Sequence, residues 1–294
     1  MKKLLFSLLI LFPSWCFGQL TDGVNDPYNN WNGVSHWTDY MTVSTGKFGP
    51  NALPVPRLEN GLLDSLLIVN VGALYHHNPE DKTPSINYSL YIPVGKKASI
   101  EFRGTFIEMF NMSERLRYER RTYRLRGEGE AFGDIWVHSN YQLIKEHSKL
   151  PDLAAHVGLK TALGNELQTA RYTDTPGYMF YLSSGKNIDL PTLNANLRLY
   201  GHVGFFAWQT YSYLHRQDDA TMYGFGVQLN VGEFLFSHEL TGFHGYRDLG
   251  DRPMVYRLRI GREKNNRITF MYQNGIHDYD YHSFAINYFF IKRK

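Results

Sequence analysis

From about Leu62 to the C-terminus, apolar and polar positions alternate with a period of two, the pattern of strands that present different faces to different surroundings. In 99–106, Ile100, Phe102, Gly104 and Phe106 fall on one face and Glu101, Arg103 and Thr105 on the other. In 134–143, Ile135, Val137, Tyr141 and Leu143 alternate with Asp134, Trp136, His138, Asn140 and Gln142. In 193–206, Leu197, Leu199, Val203 and Phe205 oppose Asn196, Arg198, Tyr200 and His202. The same reading sets Met254, Tyr256, Leu258 and Ile260 against Arg257 and Arg259, and Phe284, Ile286, Tyr288 and Phe290 against Ser283 and Asn287.

The pattern predicts about twelve strands, over 64–75, 86–93, 98–110, 133–144, 153–162, 177–184, 193–208, 221–231, 234–244, 254–262, 267–274 and 281–291. Most approach the roughly 9–11 residues that a tilted strand needs to cross the hydrocarbon of a bilayer. If the chain starts in the periplasm, the connections that face inward are short and those that face outward are mostly long. This asymmetry belongs to membrane barrels, and a soluble sandwich has no reason to show it. The fold expected is therefore an all-β, transmembrane, antiparallel up-and-down barrel over 61–294. Rings cluster near strand ends, as in Phe205, Phe206, Trp208 and Tyr288-Phe289-Phe290, where a barrel places its aromatic girdles.

The N-terminus reads differently. Lys2 and Lys3, an apolar stretch from Leu4 to Phe12 and the small residue Gly18 describe a secretory signal peptide over 1–18. Cleavage there would remove Cys16, the single cysteine, so neither disulfides nor thiol chemistry is expected. Residues 19–60 are polar and rich in Gly, Asn and Pro, with no sustained period. They read as an ordered or partly ordered extension, free to fold into or under the barrel.

Composition agrees with export to the bacterial outer membrane. The 294 residues are 15% aromatic and 20% charged, with 21 Tyr and 19 Phe. A net charge of +3 gives no reason to expect nucleic acid. The expected partners are outer-membrane lipids, lipopolysaccharide and a small solute, and no cofactor is expected.

Six blocks carry a resemblance. They are Gly133-Asp134-Ile135-Trp136, Tyr141-Gln142-Leu143, Pro151-Asp152-Leu153, Gly158-Leu159-Lys160-Thr161 with Gly164, Ala170-Arg171-Tyr172-Thr173-Asp174 running on to Tyr178, and Ser184-Gly185-Lys186. Over about Gly133 to Lys186 the chain resembles the MetA-pathway phenol-degradation type of outer-membrane barrel and uncharacterised barrels of Bacteroidota. The resemblance implies the barrel fold and a part in moving hydrophobic or aromatic compounds. It assigns no binding residue.

Candidate chemistry is sparse. A barrel lipid hydrolase would need His and Ser on one face, but in His138-Ser139 and His282-Ser283 the two are adjacent and point to opposite faces. No zinc or phosphate-loop motif is present. His76-His77 near Glu80 and Asp81, read as a loop pair, offers at most a weak metal site, and the aspartates of the long loops an equally weak one for divalent cations.

Two sets of charges are more informative. Arg103, Lys160, Arg198, Arg257 and Arg259 fall on the polar face with Glu101, Asp134 and Glu239, so they are candidate lumen-lining residues. They would either fill the barrel as ion pairs or line an anion-preferring channel. Arg115, Arg117, Arg120, Arg121, Arg124 and Arg126 crowd one outward loop and suit bidentate contact with lipopolysaccharide phosphates. The function expected is non-enzymatic: passage or binding of a small hydrophobic or anionic solute. The alternatives are a structural or assembly component of the envelope and, third, a barrel lipid hydrolase.

Overall fold

The computed structural model describes residues 32, 34–124, 126–145, 149–263 and 266–292. The signal peptide expected over 1–18 lies outside the described residues. Thirteen strands form: β1 (Leu67–Asn78), β2 (Asp81–Val94), β3 (Ala98–Met112), β4 (Glu128–Ala131), β5 (Ile135–Ile144), β6 (Asp152–Lys160), β7 (Gly177–Leu190), β8 (Ala195–Gln209), β9 (Gln217–Val231), β10 (Phe234–Gly245), β11 (Met254–Glu263), β12 (Arg267–His277) and β13 (His282–Lys292). Each ring strand pairs antiparallel with its neighbours, and β1 closes the ring on β13 through eleven register pairs from Leu67↔Lys292 to His77↔His282. Twelve strands make the closed barrel. The thirteenth, β4, sits outside the ring on the end of β3.

The wall is inside-out relative to a soluble protein. Outward-facing Phe180, Phe225, Phe270, Ile286, Val203 and Leu159 are each more than half exposed. Their inward neighbours include buried His138, Ser183, Glu239 and Ser283. A continuous apolar belt on a closed sheet leaves no unpaired backbone edge and is stable against lipid tails.

The strand period breaks once with consequence. Ile86 pairs with Ile107 but Asn87 with Thr105, so Phe106 is an extra residue in β3. Such a bulge reverses the facing of everything beyond it. Glu101, Arg103 and Thr105 point inward before it, and Glu108, Phe110 and Met112 after it.

Long connections gather at one end: 113–134, 161–176, 210–216 and 246–253, with the tighter 79–80 and 278–281. The first contains a short helix, α1 (Glu114–Glu119), whose N-terminus is capped by the Ser113 side chain accepting from Leu116 N at 3.2 Å. The other end carries 95–97, 191–194 and 232–233, with the described residues 145, 149–151 and 266.

The extension runs through the barrel. Residues 61–64 are tied to the short-turn end, where Gln142 Nε2 donates to Gly61 O at 2.8 Å and Tyr91 OH to Asp64 O at 3.0 Å. Residues 37–46 reach the long-loop end. There Trp37 stacks on Tyr123 at 5.1 Å, Arg121 Nη1 donates to Tyr40 O at 3.1 Å, and Gly46 N donates to Gly250 O at 2.8 Å.

Two outcomes test this architecture. Ile286→Arg, in the middle of β13 on the outer belt, should destabilise the folded barrel by about 2–4 kcal/mol in urea titration in lipid. Leu214→Arg, in a long loop, should leave stability unchanged. For the threaded path, Val34→Cys and Leu214→Cys should both react with a membrane-impermeant maleimide from one side. Lys96→Cys should react only from the other. Val34 labelling together with Lys96 would refute the threading.

Candidate functional site

The lumen is built around the extension, a plug whose non-repetitive backbone needs hydrogen-bond partners because it is buried. The partners come from lumen-facing side chains. Arg257 on β11 donates from Nη1 to Pro56 O at 2.9 Å and from Nη2 to Val55 O at 2.7 Å. Its Nε donates to Gln273 Oε1 at 2.5 Å. Arg198 on β8 donates to Asn60 O at 2.7 Å, and Trp208 Nε1 to Val43 O at 2.9 Å. Leu58 docks where the wall carries no side chain: a Cβ on Gly224 or Gly226 would lie 2.7 or 2.6 Å from its methyl groups.

Toward the long loops the plug is packed shut. Met41, Val43, Phe48, Ala52 and Leu53 form one cluster with Trp136, Phe206, Trp208, Met222 and Phe243. Beside it lies a fully buried ion network. Arg171, from the 161–176 loop, donates from Nε to Glu108 Oε1 at 2.7 Å and from Nη1 to Asp81 Oδ2 at 2.7 Å. Arg120, just past α1, reaches the same Asp81 oxygen at 3.0 Å and Tyr281 OH at 2.6 Å. Asn51 of the plug donates to Glu108 Oε2 at 2.7 Å. Burial by itself disfavours the Arg171 charge, but Glu108 and Asp81 outweigh it and hold the guanidinium above its ordinary range.

Of the candidate lumen charges, Glu101, Arg103, Lys160, Arg198, Glu239, Arg257 and Arg259 lie in ring strands and Asp134 in the connection before β5, and most are committed to partners. Lys160 pairs with Asp134 at 2.6 Å and Arg198 with Asp152 at 2.9 Å. Arg259 pairs with Glu239, which also accepts from Tyr200 OH at 2.7 Å. Glu101 accepts from Arg57 of the plug at 2.6 Å. Arg103 stands 4.0 Å from Glu59.

The arginine-rich loop is only partly open to solvent. Arg117 and Arg120 are buried and unavailable to a lipid phosphate, because Arg120 is spent on Asp81 and Tyr281 and Arg117 donates to Arg124 O at 3.0 Å. Arg115 and Arg124 pair with Glu119 and Glu166 at the surface, and Arg121 and Arg126 are exposed.

His76 is also not where the sequence suggested. β1 continues to Asn78, so His76 is a buried strand residue facing the lumen. Its Nδ1 lies 2.7 Å from Ser283 Oγ and its Nε2 3.2 Å from Asn51 Oδ1. This His–Ser–Asn contact joins β1, β13 and the plug, so neighbouring-residue logic missed it. Ser283 is fully buried and is not among the residues lining either lumen space described below, whereas His76 and Asn51 line the cleft. Among the described residues no cluster of His, Cys, Asp and Glu is placed to hold a metal ion.

The short-turn half is less filled. A chamber of about 490 Å³ is lined by Leu58, Tyr91, Tyr200, Leu235 and Phe289 with Arg57, Glu59 and Arg259. It shares Arg57, Ser89, Arg259, Thr269 and Phe289 with a cleft of about 230 Å³ between plug and wall. The cleft extends as far as Asn51, His76, Tyr172 and Tyr279, beside the ion network.

No protein-family model matches the chain, and no curated relative matches it. Among solved structures it is similar to an outer membrane channel from Pseudomonas putida F1, with a TM-score of 0.52 and 11% identity over 82% of this chain and 97% of that one. KdgM porin aligns with a TM-score of 0.46 and 7% identity over 76% of this chain and 99% of that one. The beta domain of the Bordetella autotransporter BrkA aligns with a TM-score of 0.45 and 12% identity over 77% and 99%. The chain thus has the fold of the outer-membrane β-barrel channels, with its own N-terminal segment in the lumen.

The closure makes a stability prediction. Arg171→Met should cost roughly 3–5 kcal/mol by urea unfolding, because it leaves Asp81 and Glu108 buried with a cation removed. Arg115→Met, which breaks only exposed pairs, should cost no more than about 1 kcal/mol. Equal effects would mean that the network is wet.

Proposed function

We propose that this protein is an outer-membrane channel for a small solute, held closed by its own N-terminal plug, and that it carries out no covalent chemistry. The observation that supports this most is the unfilled space beside the plug: a chamber that shares Arg57, Ser89, Arg259, Thr269 and Phe289 with a cleft reaching toward the long-loop closure. A barrel serving purely as a scaffold has no need of that space. The apolar outer belt and the likeness to the Pseudomonas putida F1 channel support placement in the outer membrane, with the long loops outside. The resemblance of 133–186 to the phenol-degradation barrels supports the same class. In this reading the lumen arginines hold the plug, and solute passes only when it shifts. Lipopolysaccharide contact, if the loops provide it, falls to Arg115, Arg121, Arg124 and Arg126.

A disulfide across the plug tests the gate. Leu58→Cys combined with Gly224→Cys should lock plug to wall when oxidised. Liposome swelling with small sugars and amino acids should be low in the oxidised protein and return to the wild-type rate on reduction. Equal swelling in both redox states would refute gating by the plug. No swelling by the wild type under any condition would favour the scaffold.

A further inference from the structure

We infer that the junction of the chamber and the cleft is a binding site for a small organic carboxylate, received by Arg103 and Arg57. The inference rests on the reading of this barrel as a solute channel and names the class of solute.

Four observations carry it. First, plug and wall meet here through reciprocal charges: Arg57 of the plug pairs with Glu101 of β3 at 2.6 Å, and Glu59 of the plug faces Arg103 of β3 at 4.0 Å. The first contact is a close hydrogen-bonded pair. The second is not, because Arg103 Nη1 is buried and has no hydrogen-bond acceptor among the described residues. Second, the Nε atoms of Arg57 and Arg259, which line both chamber and cleft, are likewise buried without an acceptor. A buried guanidinium N–H left unmet is costly, and a carboxylate is the acceptor that matches its planar fork.

Third, the space suits a small organic body. The chamber of about 490 Å³ falls within the roughly 300–1,000 Å³ usual for small-molecule sites. The chamber lining is mostly polar, with Leu58, Tyr91, Tyr200, Leu235 and Phe289 as apolar and aromatic patches, and the adjoining cleft is mainly apolar. Inorganic phosphate would satisfy the arginines and leave those apolar surfaces wet. Fourth, the site touches the plug. An incoming carboxylate competes with Glu59 for Arg103, so occupancy weakens one of the two charge contacts holding this part of the plug.

Calorimetric titration of the full chain in detergent micelles tests the site with benzoate, the neutral isostere benzamide and inorganic phosphate as probes. Benzoate should bind, and the other two should bind at least roughly tenfold more weakly. Arg103→Gln should weaken benzoate by a similar factor, whereas Glu59→Gln, which removes the competing carboxylate, should strengthen it. Folding is checked by the heat-modified gel shift. Should Arg103→Gln lose that shift, Arg103→Lys keeps the charge without the fork and should bind benzoate several-fold more weakly than wild type. Benzamide or phosphate binding as well as benzoate would overturn the inference, as would a folded Arg103 variant that binds like wild type. Liposome swelling separates the two readings. Swelling without benzoate binding overturns the site alone, and benzoate binding by a barrel that never admits solute overturns the channel alone.

Discussion

Backbone buried in the middle of a barrel must find hydrogen-bond partners, and the interior of this protein is arranged around that constraint. A plug whose described regular structure is two single 3-10 turns, Trp37–Tyr40 and Thr45–Lys47, satisfies few of its own backbone groups. Pro54 and Pro56 remove two N–H groups from the requirement, since proline has no donor. The carbonyls on either side remain, and Arg257 takes those of Val55 and Pro56 together. Arg198 takes that of Asn60, and Trp208 that of Val43. Arg257 shows why the lumen holds cations without matching acids: its acceptors are amide oxygens and neutral side chains. Charge counted along the strands therefore overstates the field available to a passing anion.

The same constraint is met differently in the two halves of the lumen. Near the long loops, an apolar cluster and the Arg171–Asp81–Glu108 network close the lumen beyond the cleft, and the charges are fully buried. Breaking a buried pair strands its partner, so that half resists small displacements. Near the short turns the contacts are fewer and wetter, with the Arg57 side chain 42% exposed. Exposed pairs are weak and screened by salt. The plug is therefore held less tightly at the end that holds the chamber.

Strand alternation carried most of the wall. All twelve ring strands lie within a few residues of the period-two segments, because a belt facing lipid and a face turned to a polar lumen impose that period directly. Glu108 was lost to the Phe106 bulge, since one extra residue reverses the facing and leaves no compositional mark. Arg171 sat in what read as loop chemistry, although its guanidinium is as buried as any side chain here. The plug was illegible for a deeper reason. Its shape is dictated by carbonyl caps more than a hundred residues away, such as Arg257 for Pro56 and Trp208 for Val43, and local pattern holds no trace of them.

The covalent path of the plug restricts how it can move. The segment is continuous with β1 at the short-turn end, and its other end lies among the long loops, where Trp37 stacks on Tyr123. Displacement toward the long loops would pull on β1, whose register with both β2 and β13 is set by continuous ladders. Displacement toward the short turns would not pull on β1, and the chain bends at Gly61. That residue holds φ of +83°, and a Cβ there would lie 2.8 Å from the Gly185 nitrogen. Glycine alone takes that conformation without strain and fits that gap. A plug tethered at this point slackens from residues 57–60 upward, and those are the residues that line the chamber. The proposed carboxylate site and the proposed point of plug release thus fall on one short stretch of chain, residues 57–60.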